Sequence, residues 1–439
     1  MKLNIKNTAL VGLAFAALTA CQFEEVPNPN APSVEDATAN PGLAELNNLV
    51  VGAESSMRNG IGGYTTSVGV VAREFYVFDA DPRNTEDLLG KNGTNLDNNT
   101  FYTTGPWNSR YRCVKSCNLI LEAADVSDAI STEEAQGYRG FANTIKALQL
   151  LLLINHQDEN GIRLDVADPA NLGPIVSDKG QVLTAIATLL DDAAAQLDAA
   201  GTEFAFGLSQ GFAGFDTPAT FKLFNRALRA RVALYQEDWS GALSALDQSF
   251  FDLNGDLTVG PKYFFSTNAN DLVNPMFKAP NQNGDQIVVH DSFIADAEAG
   301  DLRVANKTAA RDNPSVQDGL TGTHETRLYS SQSEGIDIIR NEELVLIYAE
   351  ASAQQTSPIN AVAGIDVIRS SAGLDPYAGG IGTDALIDEI LHQRRYSLWG
   401  EAHRMIDLRR YDRLNNTYVP IDRANDQIFQ RFPIPLNEL

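Results

Sequence analysis

Residues 392–414 read HQRRYSLWGEAHRMIDLRRYDRL, and this stretch mixes charged and bulky apolar side chains on one predicted helix. The charged members are Arg394, Arg395, Glu401, Arg404, Asp407, Arg409 and Arg410, and the apolar members are Leu398, Trp399, Met405, Ile406 and Leu408. If the helix buries its apolar side chains, some of its charged side chains also lie near the core. A buried charge is energetically costly unless it is paired. We therefore expect ion pairs inside the protein around this segment.

Helical periodicity extends outward from this segment over most of the chain. In residues 340–355, Leu344, Ile347, Tyr348 and Ala351 share one face at helical spacing. The same pattern recurs in residues 42–57, 106–125, 133–157, 181–199, 218–235, 239–250, 358–371 and 383–400. The sequence therefore predicts a mostly α-helical protein with little β structure.

Two segments, residues 218–250 and 340–371, each predict a pair of helices joined by a short turn. In the first pair, Tyr235, Trp239 and Ala242 resemble a tetratricopeptide unit. More than one repeat length separates the pairs, so we expect interleaved units and not a continuous solenoid. Residues 59–105 and 251–330 are rich in Gly, Asn, Asp and aromatic residues, show little helical period, and are the expected place for function.

The amino-terminal residues predict export and lipid anchoring. Lys2 and Lys6 precede an apolar run from Ala9 to Ala20, which predicts a signal peptide over residues 1–20. This run is shorter than the roughly 20 residues that span a bilayer. Leu18-Thr19-Ala20-Cys21 resembles a bacterial lipobox, in which Cys21 would be lipidated and hold the protein on the membrane.

A proline-rich stretch follows Cys21. Pro27, Pro29, Pro32 and Pro41 lie among Asn, Ser and acidic residues, a composition that favours extended chain. We therefore predict that residues 21–41 form a lipidated tether. Residues 42–439 are long enough for one large domain or two closely packed ones, and we predict a single domain.

The charge of the chain is strongly acidic. The 439 residues carry a formal net charge of -24, which loss of Lys2 and Lys6 with the signal peptide would take to -26. Such a field repels polyanions, and no basic run offers contacts to nucleic-acid phosphates, so nucleic acid is not an expected ligand. Sulfated and other strongly anionic polymers are disfavoured more weakly, because one local basic pocket can override the mean charge.

No enzyme motif stands out. The chain has no HExxH, P-loop, GxSxG or Rossmann glycine pattern, and its 5 histidines show no metal spacing. We therefore expect no catalytic residue, no metal and no cofactor. A surface glycoside hydrolase stays a rival interpretation, because carboxylates are abundant enough to form a suitable pair.

Two short patterns leave alternatives open. Cys113 and Cys117 lie four residues apart on a predicted helix and form either two buried thiols or one local disulfide. The stretch DLNGD from Asp252 to Asp256 begins like a calcium-binding loop, but its glycine is misplaced and Tyr263 stands where that loop needs Glu. A polar turn is the favoured interpretation of this stretch.

Residues 393–410 resemble the carboxyl-terminal pattern ER-x-x-EL-x-x-EG-x-R-x-x-DL-x-R of the SusD/RagB family, with Ala402 in place of glycine. Further similar motifs are W-x-x-x-Y-x-x-I-x-x-x-N at Trp107–Leu121, L-x-x-AEA at Glu343–Ala351, D-x-R at Asp301–Arg303 and PIP at Phe432–Pro435. One departure is the segment Asn155–Pro169, which stands where the family often has a shorter turn.

The resemblance implies a tetratricopeptide-type helical scaffold whose irregular loops bind glycan, with no catalysis and no cofactor. It also implies a lipid-anchored position on the outer membrane, facing the exterior, as a lid on a SusC-like TonB-dependent transporter. The acids after Cys21 resemble the surface-export signal of Bacteroidetes lipoproteins. The alternatives are a peptide- or other nutrient-binding lipoprotein of the same fold, as the RagB branch suggests, and a tetratricopeptide adaptor that docks a protein partner.

Glycan binding requires exposed aromatic planes beside polar groups. Trp107, Trp239 and Trp399 fall at helical packing positions, so we predict that they are core residues and that Tyr or Phe provides the stacking. The predicted ligand contacts are Tyr64, Arg73, Tyr76, Asp79, Asp81, Arg83, Asn95, Tyr102, Tyr263 and Phe265. The alternative for the run from Arg73 to Asn84 is a half-buried strand without a ligand.

Overall fold

The computed structural model describes residues 39–439, so the signal peptide, Cys21 and most of the predicted tether lie outside the described residues. The helices are α1 (Leu43–Met57), α2 (Ile61–Val71), α3 (Phe101–Val126), α4 (Thr132–Gln157), α5 (Lys179–Asp198), α6 (Pro218–Tyr235), α7 (Trp239–Leu246), α8 (Asp291–Ala295), α9 (Leu302–Lys307), α10 (Asn341–Gln354), α11 (Pro358–Ser371), α12 (Thr383–Ser397) and α13 (Arg404–Arg410). The strands are β1 (Phe75–Asp79), β2 (Ile162–Arg163), β3 (Ile175–Val176), β4 (Lys262–Tyr263), β5 (Asp285–Val289), β6 (Thr308–Gln317), β7 (Leu320–Thr326) and β8 (Ile336–Asp337). The predicted fold class, mostly α with little β, is confirmed.

Consecutive helices pack against one another from α3 to α7, and α10 packs against α11. In addition, α10 contacts both α6 and α7, so the two helix pairs at residues 218–250 and 340–371 are neighbours in space although they are distant in sequence. The chain between them leaves the helical stack and returns to it. This arrangement brings the irregular segments to the surface of a rigid helical frame.

Local sequence signals explain where several helices begin. The Ser131 hydroxyl accepts a hydrogen bond from the Glu134 amide at 3.2 Å, and the Glu134 carboxylate accepts one from the Ser131 amide at 2.7 Å. This reciprocal cap satisfies two amides that the first turn of α4 leaves without helical partners. At α6, Thr217 caps the helix and Pro218 occupies the first helical position, where its missing N–H costs nothing.

The segments predicted to be irregular contain more regular structure than the sequence indicated. Residues 61–71 form α2, and four antiparallel strands form a sheet in the order β1-β5-β7-β6. Tyr76 of β1 pairs with Val288 of β5, and four of the five β1 residues are buried. The prediction of irregular chain over 59–105 and 251–330 is therefore wrong at these elements, because helices and partner strands distant in sequence cover short apolar runs.

The stretch at residues 392–414 forms two helices and not one. α12 ends at Ser397, and α13 begins at Arg404 after a turn in which Gly400 has φ 77° and Ala402 has φ 64°. Left-handed backbone favours glycine, which is what the SusD/RagB pattern has at the position of Ala402. The Glu74 main-chain carbonyl accepts a hydrogen bond from the Trp399 indole at 3.1 Å and fixes this turn against β1.

The expected ion pairs inside the protein are present. Arg394 Nε lies 2.7 Å from Asp407 Oδ2, and Arg410 Nη1 lies 2.7 Å from Glu350 Oε1. Arg409 Nε lies 3.1 Å from Asp158 Oδ1, which joins α13 to the end of α4. We refer to Arg394, Arg409 and Arg410, with Asp158, Glu350 and Asp407, as the α13 network. Its arginines have their charges balanced where water does not reach them.

Candidate functional site

Six of the ten predicted contact residues lie in the core. Their exposed fractions are 3% for Tyr64, 1% for Arg73, 4% for Tyr76, 0% for Tyr102, 5% for Tyr263 and 1% for Phe265. A side chain without accessible surface cannot stack on a sugar ring. The expectation that these six residues present a binding surface is therefore wrong.

The buried polar groups among them bind other parts of the protein. The Arg73 guanidinium donates to the main-chain carbonyls of Leu89 at 3.1 Å and Gln427 at 2.9 Å. The Tyr102 hydroxyl donates to the Asp87 carboxylate at 2.7 Å and accepts from the Asp97 amide at 2.8 Å. These contacts satisfy the polar atoms that burial removes from water.

The other four predicted contact residues lie on or near the surface. Asp79 accepts hydrogen bonds from the Asn84 side chain at 3.0 Å and from the Asp81 amide at 2.8 Å, so it orders the turn after β1. The Arg83 guanidinium binds Asp81 through two hydrogen bonds, of 2.8 and 2.6 Å, and lies 5.0 Å above the ring of Phe101. Asn95 is exposed nearby. Since Arg83 covers that face of Phe101, this cluster does not offer it to a sugar.

Phe264 is an aromatic residue that is absent from the ten predicted contact residues. It lies between Tyr263 and Phe265, and 37% of it is exposed while its two neighbours are buried. Successive side chains of extended chain point to opposite sides, so one of the two alternating sets had to face outward. The alternation was visible in the sequence, but which set faces the solvent depends on what packs against the strand.

Phe264 lines a surface cleft of about 310 Å³, which we call the Phe264 cleft. Its lining is Val51, Glu54, Ser55, Arg58, Gly207, Leu208, Ser209, Phe264 and Asp271. Arg58 Nη1 donates to the Phe264 carbonyl at 2.6 Å and lies 2.9 Å from Asp271 Oδ1. An exposed ring thus stands beside a cation and a carboxylate that are held in place.

Asp271 is ionised in this environment. Burial opposes its charge, but hydrogen bonds from the Leu272 amide and the Ser266 hydroxyl, together with Arg58, lower the pKa of the carboxyl below its ordinary value. Also in the lining, one helical turn before Arg58, the Glu54 carboxylate accepts a hydrogen bond from the Ser209 amide at 3.1 Å. The Phe264 cleft therefore combines an apolar ring face with acceptors suited to hydroxyl groups.

A larger cleft of about 410 Å³ lies between α3 and the loop that joins β2 to β3, and we call it the α3 cleft. Its lining is Trp107, Asn108, Tyr111, Arg112, Lys115, Arg163, Val166, Pro169, Leu172 and Glu438. The loop belongs to the segment that departs in length from the SusD/RagB pattern. No residue of this cleft was predicted to bind a ligand.

Contacts between side chain and main chain shape the α3 cleft. The Tyr111 hydroxyl donates to the Arg163 carbonyl at 2.9 Å and accepts from the Arg163 amide at 2.7 Å. Arg163 also donates to the Gly173 carbonyl at 2.6 Å, and its Nε lies 3.0 Å from Glu438 Oε2. Trp107 and Tyr111 lie one turn apart on α3, with ring centroids separated by 4.9 Å. These contacts fix an aromatic floor beneath the loop.

Three further sequence interpretations can be compared with the structure. Cys113 and Cys117 are free and buried, so the alternative of two thiols holds. Asp252 and Asp256 accept hydrogen bonds from the amides of Asn254 and Thr258, which is the predicted polar turn. Trp107 and Trp399 are core residues as predicted, whereas Trp239 is only partly buried against the core.

Within residues 39–439, no group of three or more His, Cys, Asp or Glu side chains is placed to hold a metal ion. Over the same residues, none of the helices combines the length and apolar character that a membrane span requires.

Comparison with known proteins supports the fold over nearly all of the described chain. A SusD superfamily protein from Bacteroides vulgatus is 18% identical, over 90% of this chain and 96% of that one, with a TM-score of 0.66. Surface glycan-binding protein A from Bacteroides thetaiotaomicron, solved in complex with laminarihexaose, is 16% identical over 90% of this chain and 97% of that one, with a TM-score of 0.70. No curated protein sequence matches significantly.

The sequence match to a family lies at the carboxyl end, where residues 312–438 match the SusD family. This range contains residues 392–414. Residues 312–438 thus match the SusD family, and the described chain shares the fold of SusD superfamily proteins.

Proposed function

We propose that this protein is a glycan-binding lipoprotein of the outer membrane surface that delivers oligosaccharides to a SusC-like TonB-dependent transporter. The observation that carries the proposal is the Phe264 cleft. There an exposed aromatic ring lies beside the Arg58–Asp271 ion pair on a rigid helical frame.

The chemistry of the Phe264 cleft suits a sugar. A pyranose has apolar C–H faces, which pack on an aromatic ring, and hydroxyl edges, which need donors and acceptors. Asp271 and Glu54 supply acceptors, while Arg58 supplies donors. Because hydrogen bonds and the ion pair hold these groups before any ligand arrives, little side-chain entropy is lost on binding.

The fold supports the same function. A solved protein of similar fold carries the name surface glycan-binding protein and holds laminarihexaose, and another is described as a laminarin-binding SusD-like protein. The anchoring part of the proposal rests on the lipobox-like residues Leu18–Cys21, and the transporter part rests on the family resemblance. A cell-surface position would present both clefts to external glycans.

The test is affinity electrophoresis and titration calorimetry of the chain from Gln22 onward with a panel of neutral polysaccharides, laminarin included. We expect one polysaccharide to bind and Phe264→Ala to weaken that binding by roughly tenfold, which corresponds to about 1.4 kcal/mol. The matched control is Phe101→Ala, because Phe101 is 36% exposed and Phe264 is 37% exposed, but Arg83 covers a face of Phe101. The control variant should bind as the unchanged protein does.

Two outcomes would contradict the proposal. If no neutral polysaccharide binds, the peptide-binding and protein-docking alternatives become the leading hypotheses, and capture of the neighbouring transporter is the next measurement. If a polysaccharide binds but Phe264→Ala and Phe101→Ala behave alike, the protein binds glycan outside the Phe264 cleft. Release of reducing sugar from any of the polysaccharides would instead support the glycoside hydrolase interpretation.

A further inference from the structure

The α3 cleft contains a concentration of positive charge that is unusual in this protein. Three Lys or Arg residues in the described range are exposed, namely Arg83, Arg112 and Lys115. Arg83 is paired with Asp81. Within residues 39–439, Arg112 and Lys115 have no carboxylate within 4.0 Å, whereas less exposed surface cations such as Arg139 and Lys222 are paired.

Arg112 and Lys115, the exposed cations without a carboxylate partner within residues 39–439, are neighbours. They lie three residues apart on α3, which places them on one face of the helix, and both line the α3 cleft. In a chain with a net charge of -24, acidic side chains are abundant enough to pair most cations. This helix face therefore holds a local positive potential inside a negative overall field.

The acid in the lining of the cleft does not cancel this potential. Glu438 is paired with Arg163, whose guanidinium also binds the Gly173 carbonyl at 2.6 Å. The Arg163–Glu438 pair is thus neutral and serves to hold the loop. An incoming anion would meet Arg112 and Lys115 as the charges that are still available.

Apart from the polar Asn108, the rest of the lining is apolar and suited to a ring. Tyr111 is half-buried, and Val166, Pro169 and the 45% exposed Leu172 form the facing wall. The volume of about 410 Å³ lies within the range of roughly 300–1,000 Å³ that is typical of small-molecule sites. An apolar wall opposite a pair of cations fits a ring that carries a negative group at one edge.

We propose that the α3 cleft binds an anionic sugar residue, with its carboxylate or sulfate on Arg112 and Lys115 and its ring against the apolar wall. This proposal takes its ligand class, a saccharide, from the proposed function, but it concerns a different cleft. The planar Arg112 guanidinium matches both anions through paired hydrogen bonds, and Lys115 adds a point charge.

The overall negative charge of the protein limits which anionic glycans can bind in the α3 cleft. Screening limits charge interactions to about 8 Å at physiological ionic strength, so Arg112 and Lys115 dominate for an anion within the cleft. Further anionic residues of the same polymer would lie against the acidic remainder of the surface and be repelled. The α3 cleft is therefore suited to a glycan with isolated acidic residues and not to a densely sulfated polymer.

The test compares three oligosaccharides of equal length by calorimetry with the chain from Gln22 onward. They are a trisaccharide with one terminal galacturonate, the same trisaccharide with that carboxyl group reduced, and a trisaccharide with one terminal galactose sulfate. We expect an acidic trisaccharide to bind at least tenfold more tightly than the reduced one, with an affinity that falls as salt rises. The preferred acidic form identifies the anion as carboxylate or sulfate.

The variant is the double substitution Arg112→Gln, Lys115→Gln. Its control is Arg139→Gln, Lys222→Gln, which removes the same charge from residues paired with the exposed acids Asp125 and Asp198. We expect the first pair of substitutions to weaken binding of the acidic trisaccharide at least tenfold and the control to change it less than twofold.

The proposal is overturned if neither acidic trisaccharide binds, if the reduced trisaccharide binds equally well, or if both double variants lose the same affinity. Its failure is distinguishable from failure of the proposed function. Phe264→Ala should leave binding of the acidic trisaccharide unchanged, and Arg112→Gln, Lys115→Gln should leave binding of the neutral polysaccharide unchanged. Loss of one activity without the other shows which cleft was assigned wrongly.

Discussion

The positive charges of the α13 network are buried and paired, whereas those of Arg112 and Lys115 in the α3 cleft are exposed and, among the described residues, unpaired. In the network, the Arg410 side chain is 3% exposed and meets the fully buried Glu350 at 2.7 Å. In the cleft, Arg112 and Lys115 are exposed and have no carboxylate partner within residues 39–439. A buried charge requires a partner for the protein to fold, whereas an exposed one does not. Surface cations without partners are therefore free to bind a ligand, whereas the arginines of the network stabilise the fold.

The largest expected effect comes from breaking the network at Arg410. Arg410→Met leaves the Glu350 carboxylate buried without its partner, so we expect the free energy of unfolding to fall by about 3–5 kcal/mol. The control is Arg413→Met, because Arg413 is paired with Asp388, whose side chain is 61% exposed, and should cost about 0–1 kcal/mol. Urea denaturation measures both. Equal losses would show that burial of the pair does not matter.

The second prediction concerns Glu74 and the dependence of stability on pH. Burial raises the pKa of Glu74 to about 8, and one of its carboxylate oxygens has no hydrogen-bond partner. Between pH 4.5 and 8 the unfolded chain releases the Glu74 proton while the folded protein keeps it. The free energy of unfolding therefore falls as pH rises through this window, by roughly 1.4 kcal/mol per pH unit at the steepest.

Glu74→Gln removes this titration, because its amide is neutral at every pH. We expect the variant to be more stable than the unchanged protein at pH 8 and to lose less stability between pH 5 and 8. Thermal unfolding across that range measures the effect, with the exposed Glu203→Gln as the control. Parallel pH profiles for the variant and the unchanged protein would show that Glu74 ionises normally in the folded state.

The need for ion pairs could be predicted from the sequence, although two of the partners, Asp158 and Glu350, lie outside residues 392–414. Charged and apolar residues alternate within residues 392–414, and burial of the apolar residues obliges the charges to find partners. Helical periodicity predicted most of the long helices, because it depends only on the spacing of neighbouring residues. The sequence of this stretch did not predict its division into α12 and α13, where the Trp399 indole donates to the Glu74 carbonyl next to β1.

The clefts could not be predicted in this way because they depend on contacts between distant segments. Tyr76 resembled a surface aromatic among charges, but β5 pairs with its strand, and Tyr76 packs against His290 at 5.3 Å between ring centroids. Phe264 was distinguishable from Tyr263 only by knowing which side of the strand is covered. Arg112 and Lys115 lack carboxylate partners in the described part of the folded protein, and the spacing of residues in the sequence does not predict this.

A smaller effect tests how the loop of the α3 cleft is held. Gly161 has φ 80° and ψ 177°, and a Cβ there would meet the main chain of Val176 on β3. Gly161→Ala should cost about 1–3 kcal/mol of stability and weaken binding of the acidic trisaccharide, because the loop would shift. Gly214→Ala is the matched control, since Gly214 has φ 81° and no atom within 4 Å of the added Cβ. If both variants bind equally well, the position of the loop does not determine the affinity of the cleft.

The smallest expected effect is the loss of stability when the two unpaired cations of the α3 cleft are replaced. Because Arg112 and Lys115 are exposed and touch no carboxylate among residues 39–439, Arg112→Gln, Lys115→Gln should change the free energy of unfolding by less than about 0.5 kcal/mol. We expect a slight loss of stability, because the substitutions remove two positive charges that are attracted to the acidic surroundings. Urea denaturation beside Arg410→Met measures the contrast directly. A loss comparable to that of Arg410→Met would mean that the two cations stabilise the fold, and their availability for a ligand could then no longer be inferred from their lack of partners.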